Sequence, residues 1–532
     1  MKAARLAWFA LASAGACWIG SSAFAQQPAS GPKEDTAVET PEGASPPADA
    51  ADADEPRGAG IPEALKVRLA SPDAAVRAAA VQKLKRGGAQ SLPFLQKAFS
   101  DPDESVRATA VSIYATISGP DGVAGLMPLA ADSSTRVLHE LLRATRDWNT
   151  PPAIALFLKI LKEGNPAIRP YAIGLLEGVT DPQVIPSMLE MARSDSSPNV
   201  RRGAFYVLRP LRNPDAARLA RETLATEKLT LVREAAMQTL SAAGCGESRP
   251  ALGPLLGSKD TSLRQLAANF LAATCQAEAT PEFVTMLGWK GGDDQPPPPT
   301  PPMEVTALQL FTRHPSPTAS GVITERLTDP DQQVRRFAVA ALGALGGEAA
   351  AKGLMMAAAD KDAVVRSSVM EAFGRVGGSS AAPVLLAGLG DTATEVRLFA
   401  ARSLGALHEK TATPALLKML AEKDPVVRAQ AAESLGMMGD PLAAPSLITA
   451  TADADLAVRE AAVIALGALG SPKTVEVLIR LATDSDMNVR LAAVKALGRI
   501  PDERSRKALE GALKDADAQV RAAARAALKG SP

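Results

Sequence analysis

The sequence feature that most constrains the fold is a segment that recurs every 31 residues. The Val-Arg pair of "DPDQQVRRFAVAALGALG", residues 329–346, returns six further times at this interval, and a Leu or Phe always follows the arginine by seven residues. The apolar positions recur while the polar positions vary, which is typical of an architectural unit rather than an active site. We name each repeat by this anchor arginine and count positions from it. The regular anchors are Arg335, Arg366, Arg397, Arg428, Arg459, Arg490 and Arg521.

Looser copies of the segment precede the regular ones. They follow one another at intervals of 29 to 33 residues, and a degenerate copy lies near Glu304. The array therefore holds about fifteen repeats. The additional anchors are Arg77, Arg107, Arg136, Arg169, Arg201, Arg233 and Arg264.

Each repeat predicts two helices. The apolar positions −1, +3, +4 and +7 follow the spacing of an amphipathic helix, and an acidic residue at −4, such as Asp331, suits its N-cap. A second apolar pattern precedes this helix and in several repeats opens with proline, as at Pro445. One such hairpin cannot bury both faces of two short helices, so neighbouring hairpins must stack. The sequence predicts an all-α fold, an α-solenoid.

The repeat resembles the HEAT repeats, particularly the short bacterial HEAT-like repeats and those of the phycobilisome lyase type, over roughly residues 60–530. The resemblance implies a right-handed, superhelical stack. It also implies a ladder of polar contacts between an Asp in the turn of each hairpin and an Arg six residues later. Glu422 replaces the Asp before Arg428, and we expect interruptions at Ser71, Ala130 and Ser258. The matching pairs are Asp329 with Arg335, Asp360 with Arg366, Asp391 with Arg397, Asp453 with Arg459, Asp484 with Arg490, and Asp515 with Arg521.

Positions +1, +2 and +5 of the second helix differ most between repeats. In HEAT-like stacks the second helices line the concave surface, so the resemblance implies that these positions face a groove. Mixed charges interspersed with aromatic and aliphatic residues suit a protein or peptide. The alternative is that Phe337, Phe399 and Tyr171 complete the core between helices. The candidate binding residues are Tyr171, Tyr206, Arg336, Phe337, Glu371, Phe399, Arg402, Glu433 and Lys495.

The charge balance narrows the choice of partner. The chain has 58 Lys and Arg against 58 Asp and Glu, so it has no cationic excess to neutralise phosphates. We expect neither nucleic acid nor an anionic bilayer as its partner. Beyond the N-terminal segment no run of about 18 apolar residues predicts a membrane span. We expect a monomeric scaffold that binds a protein or peptide.

Enzymatic functions fail on the residues present. Deoxyhypusine hydroxylase, which shares the repeat type, binds two irons through His-Glu pairs, but His139-Glu140 and His408-Glu409 lie nearly nine repeats apart at different positions. No Ser or Cys can be paired by sequence with a base, and a HEAT-like DNA glycosylase would need a basic concave face. We expect no catalytic residue, metal or other cofactor. An enzyme or enzyme accessory of the HEAT-like lyase type stays open, on the resemblance alone.

The first 25 residues have the pattern of a cleavable export signal. Lys2 and Arg5 form a basic region, an apolar stretch follows, and Ala-Phe-Ala offers a cleavage site after Ala25. The mature chain would begin at Gln26 with 56 basic and 58 acidic residues, a net charge of −2. Residues 26–58, with eight acidic and two basic side chains, predict a disordered linker rich in Pro and Ala. We expect a periplasmic or secreted protein.

Two features mark the middle of the array. The stretch "GGDDQPPPPTPP", residues 291–302, predicts a non-helical surface loop, a semi-rigid joint or a ligand for an aromatic groove. It separates an N-terminal array, residues 59–290, from a C-terminal array, residues 303–532. Cys245 and Cys275 occupy nearly equivalent places in consecutive repeats, and an oxidising compartment favours their pairing. Stacked repeats lie about 10 Å apart while bonded cysteines need Cα atoms within about 7 Å, so the disulfide stays open.

Overall fold

A computed structural model describes residues 61–292 and 295–530. These residues form helices, short 3-10 segments and connecting loops, with no strand among them, and they belong to one compact unit. Each repeat is a helical hairpin and successive hairpins stack, so this part of the chain is the α-solenoid that the periodicity predicts. The predicted signal peptide, residues 1–25, and the predicted acidic linker, residues 26–58, lie outside the described residues.

The second helix of each repeat carries the anchor near its start and packs against the second helices of the adjacent repeats. Positions −1 and +7 are buried, as Val334 and Leu342 show. The second helices are, in chain order, Ala74–Lys83, Glu104–Ser118, Thr135–Thr145, Arg169–Gly174, Pro198–Leu208, Thr230–Ala243, Thr261–Cys275, Pro301–Arg313, Gln332–Leu345, Ala363–Val376, Thr394–Ala406, Pro425–Met438, Leu456–Leu469, Met487–Leu497 and Ala518–Gly530.

The first helix of each repeat is shorter in most repeats and packs against the second helix of its own hairpin. Pro445 lies in the first turn of its helix, where the missing N–H has no intrahelical acceptor to lose. The first helices are Glu63–Leu69, Leu92–Ala98, Val123–Leu126, Pro151–Glu163, Ile185–Ser194, Pro214–Thr226, Cys245–Leu252, Thr280–Leu287, Ser320–Glu325, Gly347–Ala357, Ala381–Gly388, Thr413–Met419, Ala444–Ala450, Val475–Leu481 and Glu503–Ala512.

The carboxylates predicted at −4 begin the second helices. Asp331 accepts hydrogen bonds from the backbone N–H groups of Gln333 (2.7 Å) and Val334 (3.2 Å). These bonds satisfy two of the first-turn donors that no helical carbonyl can reach. The N-cap prediction is therefore confirmed. The other carboxylates that cap in this way are Asp362, Asp424, Asp455, Asp486 and Asp517.

Position +8 is glycine in six of the seven regular repeats, and the close approach of neighbouring second helices explains this. A Cβ added at Gly436 would lie 2.7 Å from both Cα and Cβ of Ala465, and one added at Gly467 would lie 2.5 Å from Cβ of Ala496. The residues that these glycines face stand at +6 of the next repeat. A larger side chain on either side would push the helices apart, so paired small residues set the spacing of the C-terminal repeats.

The proline-rich stretch is non-helical only as far as Thr300. Pro301 and Pro302 are the first two residues of the helix Pro301–Arg313. Proline is tolerated there because its φ angle matches the first helical turn and its missing N–H would have been unpaired. The predicted non-helical boundary at residue 302 is therefore wrong by two residues.

Candidate protein-binding surface

A ladder of ion pairs joins the turns of successive hairpins. Arg335 donates from Nε (2.7 Å) and Nη2 (3.1 Å) to the carboxylate of Asp360 in the next repeat. Its Nη1 donates to the main-chain carbonyl of Asp329 in its own repeat (2.9 Å). Asp360 thus offers its carbonyl to Arg366 of its own repeat and its carboxylate to the arginine before. Ion pairs of 2.7 to 3.1 Å join Arg77–Asp101, Arg107–Asp132, Arg169–Asp195, Arg201–Glu227, Arg335–Asp360, Arg366–Asp391, Arg397–Glu422, Arg428–Asp453 and Arg490–Asp515.

The ladder groups bond within the stack rather than to solvent. Charge-assisted bonds from the arginines hold the pKa values of Asp391, Asp453 and Asp515 below their usual range. The side chains of Arg335 and Asp360 are only 4% and 7% exposed. The last anchor, Arg521, donates to the carbonyl of Asp515 (2.6 Å). The anchor residues therefore hold the turns in register and offer little to a partner.

The repeat that sequence anchors at Arg136 has a different register. Asp132 accepts from Arg107 (2.8 Å) and stands six residues before Leu138, which is fully buried. The apolar Leu138 thus occupies the anchor place, and Arg136 lies two residues ahead of it. The carboxylate expected to be missing at Ala130 is supplied by Asp132, so the interruption of the ladder in this repeat lies at the anchor place instead. This repeat contributes no anchor guanidinium, since a leucine cannot donate.

At the other two turns where we expect an interruption, Ser258 and Ser71, the anchor arginine still finds an acceptor close by. At Ser258 the missing turn carboxylate is replaced by the helix cap Asp260, which accepts from Arg233. At Ser71 the main-chain carbonyl still accepts from Arg77 (2.9 Å). The expectation of a broken contact is therefore wrong at Ser258, where a cap carboxylate substitutes, whereas the turn at Ser71 keeps only the carbonyl bond that regular turns also make.

One regular repeat lacks the ion pair that its sequence suggests. Arg459 donates to the carbonyls of Asp453 (2.8 Å) and Ala454 (3.1 Å). Within the described residues it makes no ion pair with Asp484, whose carboxylate accepts a backbone N–H of its own turn, as the carboxylate of Asp360 also does. Sequence spacing alone does not reveal this gap.

The charges of the ladder are inverted at the degenerate repeat. Glu304 stands at the anchor place and accepts from Nε of Arg326 (2.7 Å), with side chains 8% and 9% exposed. Arg326 also donates to the carbonyl of Leu287. Burial raises the pKa of Glu304, and the Arg326 charge opposes that rise. A buried ion pair of opposite polarity therefore replaces the usual contact where the two predicted arrays meet.

The proline-rich segment packs on its own array. Arg264, only 2% exposed, donates from Nε to the carbonyl of Leu256 (2.9 Å) and from Nη2 to those of Pro297 (2.8 Å) and Pro298 (3.0 Å). A Cβ added at Gly257 would lie 3.2 Å from Pro296. Proline carbonyls thus take the place of the turn carboxylate at this repeat.

Cys245 and Cys275 form a disulfide, with Cα atoms 4.8 Å apart. Cys245 is the first residue of the helix Cys245–Leu252, and Cys275 is the last residue of Thr261–Cys275. The assignment of the two cysteines to consecutive repeats is wrong, because both belong to one hairpin. Its helices are antiparallel, so the start of the first and the end of the second lie together, and the spacing between stacked repeats does not apply.

The second helices present a varied surface at positions +1, +2 and +5, which we call the second-helix ridge. The +5 residues of five consecutive repeats are exposed, and no chemistry is common to them. Ile464, with 47% exposure, lies among charged neighbours. The five residues are Glu371, Arg402, Glu433, Ile464 and Lys495.

The aromatic residues at +2 lie partly in the core and partly on the ridge. Phe337 and Phe399 are half-buried and pack against the hydrophobic core. The guanidinium of Arg336 lies 4.8 Å from the Phe337 ring centroid, and that of Arg402 lies 5.8 Å from the Phe399 centroid. The core role considered for these rings is therefore real, while their outer faces carry a cation.

The tyrosines of the N-terminal array also contact neighbouring ridge residues. Tyr171 stacks on His139 of the preceding repeat, with ring centroids 4.7 Å apart. Tyr206 has two guanidinium groups near its ring, those of Arg202 at 6.0 Å and Arg209 at 5.6 Å. Arg209 stands at +8, a position that the sequence analysis did not include.

Charge on the ridge is incompletely balanced. Glu433 is exposed, but the surrounding side chains desolvate its carboxylate and raise its pKa; Arg402 opposes this shift and Glu460 adds to it. Arg402 donates to the side-chain carbonyl of Gln430 (3.2 Å). A cation on a partner would relieve the repulsion between the two glutamates.

Sequence reasoning missed the residues at +9. Met437 is 39% exposed, and Arg375 and Arg499 are also exposed. Position +9 lies four residues after +5, so both fall on one face of the second helix. The four-residue helical spacing could have predicted these residues from the sequence. Including position +9 adds one row of side chains to the ridge.

His408 lies just past the end of a second helix. His408 adopts a positive φ of 53° at +11, where Gly439 and Gly470 end the second helices of the following repeats. The described ranges contain no group of three or more His, Cys, Asp or Glu that could hold a metal ion. None of the helices within these ranges is both long and apolar enough to cross a membrane.

Stacked helical hairpins, joined by a turn ladder and bearing a varied ridge, define an α-solenoid protein. The sequence model of the HEAT repeats matches residues 61–146, 154–241, 299–374, 382–466 and 445–529. The chain belongs to the HEAT-repeat family. No curated protein sequence matches it.

Solved structures share this fold. Importin beta, crystallised in polyethylene glycol, is 13% identical with a TM-score of 0.52, over 83% of this chain and 72% of its own. Kap121p bound to Nup53p is 16% identical with a TM-score of 0.50, over 88% and 57%. The CpcE–CpcF phycocyanin lyase complex from Nostoc sp. PCC7120 is 23% identical with a TM-score of 0.29, over 40% and 93%. At these identities the likeness to importin beta and to Kap121p shows the solenoid fold alone.

Proposed function

We propose that the chain is an exported, non-enzymatic scaffold that binds a protein or peptide along the second-helix ridge. The observation that carries this proposal is a contrast within each repeat. Anchor arginines and cap carboxylates bond inside the stack, whereas the +5 side chains of five consecutive repeats are exposed and differ in charge and size. A constant framework with a variable surface suits a partner that contacts several repeats at once.

The composition of the ridge favours a protein partner over a phosphate polymer. Arginine lies over aromatic rings at Phe337 and Phe399, and acidic residues such as Glu371 and Glu433 are interspersed with them. Aromatic and Arg residues are enriched at protein interfaces, whereas carboxylates would repel a nucleic acid. Kap121p, which shares the fold, is described in complex with the protein Nup53p. This supports the same class of partner.

Export is the second part of the proposal. The N-terminal signal pattern motivates it, with cleavage after Ala25. The disulfide between Cys245 and Cys275 supports an oxidising compartment, where such bonds persist.

A capture experiment tests the binding surface. The tagged chain is expressed in its own host, cross-linked and purified from the exported fraction, and bound proteins are identified by mass spectrometry. The triple charge reversal Arg402→Glu, Glu433→Lys and Lys495→Glu changes exposed +5 residues. We expect wild type to retain a stoichiometric protein partner and the variant to lose it with unchanged helical circular dichroism.

A matched control places the same net charge change on the first helices. Lys352→Glu, Glu348→Lys and Lys507→Glu alter side chains that are 69%, 82% and 74% exposed. This control should keep the partner. Loss of the partner from both variants would reject the ridge as the binding surface. A bound chromophore or a modified substrate in place of a protein would instead support the lyase-type enzyme.

A further inference from the structure

One part of the ridge carries cations without anionic partners. We call it the Arg–Tyr–Arg cluster, formed by Arg202, Tyr206 and Arg209 of one second helix and the turn after it. Both guanidinium carbons lie within 6.0 Å of the same tyrosine ring centroid. Tyr206 and Arg202 are half-buried, and Arg209 is exposed. Two like charges are therefore brought to one ring.

Neither arginine of the cluster makes an ion pair with a carboxylate of the described residues. Arg209 donates to the side-chain carbonyl of Gln238 (2.8 Å), and Nε of Arg202 is buried with no acceptor. Elsewhere on the second helices Arg143 and Arg375 have acidic partners. Arg336 and Arg402 have none in the described part of the chain, but each lies at a separate phenylalanine ring. Two uncompensated cations at one ring repel each other, and an anionic ligand would remove that cost.

Building on the proposed scaffold function, we propose that the Arg–Tyr–Arg cluster is a subsite for an extended acidic segment of the partner, with carboxylates on alternate residues. In an extended chain, alternate side chains point the same way and lie about 6.5 to 7 Å apart. Two such side chains can reach the two guanidinium groups that lie 6.0 and 5.6 Å from one ring centroid, and each guanidinium can bind a carboxylate with two hydrogen bonds. The stacked pair of Tyr171 and His139 on the adjoining repeats offers an aromatic face for the flanking residues.

The surroundings favour an acidic peptide over a nucleic acid. Glu140 and Glu234 lie on the second helices of nearby repeats and would repel a continuous chain of phosphates. The cluster supplies only two unpaired cations, and the chain as a whole has no net positive charge. A short segment with two carboxylates meets both cations and extends past the glutamates with neutral residues.

Fluorescence anisotropy tests the inference with defined probes. One fluorescein-labelled peptide carries Glu at alternate positions among Ala, Ser and Pro, and a second has Gln in place of every Glu. We expect the Glu peptide to bind more tightly, and to bind more weakly as salt rises from about 50 to about 300 mM. The double variant Arg202→Gln, Arg209→Gln should bind the Glu peptide at least tenfold more weakly than wild type and should bind the Gln peptide with unchanged affinity. Equal binding of the two peptides would overturn the inference.

Arg193→Gln with Arg218→Gln is the matched control, since it removes two exposed arginines from first helices. It should change binding of the Glu peptide less than twofold. A labelled oligothymidine that binds more tightly than the Glu peptide would overturn the choice of partner. If the captured protein partner depends on Arg402 and Lys495 but not on the cluster, this inference fails while the scaffold function stands. If no protein partner is captured at all, the scaffold function itself fails.

Discussion

Replacing an anchor arginine measures how much one ion pair of the ladder contributes to stability. The comparison is possible because one anchor, Arg335, has a carboxylate partner and another, Arg459, has none among the described residues. Arg335 bonds Asp360 with two donors and the carbonyls of Asp329 and Pro330 with a third. Arg459 makes only the two corresponding carbonyl bonds. Arg335→Ala and Arg459→Ala therefore differ chiefly by one ion pair.

The expected losses follow from burial. The Arg335 and Asp360 side chains are 4% and 7% exposed, so Arg335→Ala leaves a buried carboxylate without its partner. Removing one member of a buried ion pair costs about 3 to 5 kcal/mol. Arg459→Ala loses two bonds to main-chain carbonyls near the surface, about 1 to 2 kcal/mol. The difference between the variants should be about 2 to 3 kcal/mol.

Native-state hydrogen exchange with mass spectrometry is the suitable assay, because repeat arrays open locally and one global free energy does not describe them. The free energy of local opening is compared between wild type and variant for the second helices on either side of each replaced residue. Equal losses at neutral pH would refute the assignment of the difference to the ion pair.

Acidification provides a second test. Burial acts to raise the pKa of Asp360, but the bonds from Arg335 and from the N–H of Asp362 outweigh it and hold that pKa below its ordinary value. A carboxylate with a lowered folded-state pKa stabilises fully above its unfolded value of about 3.9. That contribution is lost as the pH falls through the folded-state pKa. In Arg335→Ala burial acts on Asp360 without the opposing guanidinium, so the difference between the two variants should already begin to shrink above about pH 4 and keep shrinking as the pH falls; growth on acidification would contradict the argument.

Three further predictions use other features. Replacing Cys245 and Cys275 by Ser opens a link between residues 30 apart in sequence, and local stability of that hairpin should fall by about 3 to 4 kcal/mol in hydrogen exchange. Gly436→Ala should destabilise by about 1 to 3 kcal/mol because its Cβ would meet the next helix, whereas Gly511→Ala, with open space around it, should be neutral or stabilise by up to about 1 kcal/mol. Thermal melts separate these two variants, and an equal effect would rule out the packing argument. Sequencing of exported protein should find Gln26 at its N-terminus, and intact Met1 there would reject cleavage.

The regular half of the fold could be predicted because each of its local signals repeats. Asp at −4 caps, Val at −1 and Leu or Phe at +7 pack inward, and the 31-residue interval places successive copies side by side. The glycine at +8 was visible as a pattern, but its reason was not. That reason lies in the distance between two helices, as Gly436 and Ala465 show.

In the repeats that precede Arg335, the contacts of each residue depend on neighbouring side chains that the sequence spacing does not identify. Arg136 resembles an anchor in sequence, yet the cap and the buried positions of its helix put Leu138 there instead. Cys245 follows one anchor closely but belongs to the next hairpin, because the first helix of a repeat precedes its anchor. Arg326 pairs with Glu304 because of how the helices pack in three dimensions. The 31-residue repeat pattern therefore does not predict this inverted ion pair.

The candidate site was predictable as a set of positions and not as a set of contacts. Helical periodicity places +5 residues such as Glu433 outside the core, and they are exposed. Whether Phe337 faces the core or solvent depends on how closely two neighbouring helices approach, and the ring does both. The Arg–Tyr–Arg cluster stands out because two arginines lie at one tyrosine ring and neither makes an ion pair among the described residues, which sequence cannot show.

The inverted ion pair affects how an array of this kind can change length during evolution. Between Arg335 and Arg521, recombination at equivalent positions can delete or duplicate whole repeats, and the arginine at the new junction still meets an acidic turn. A deletion that includes Glu304 leaves the buried Arg326 without its carboxylate, and a duplication of Glu304 alone leaves a second buried carboxylate without a guanidinium. Homologues of different length should therefore gain or lose repeats on the C-terminal side and keep this pair as a fixed point.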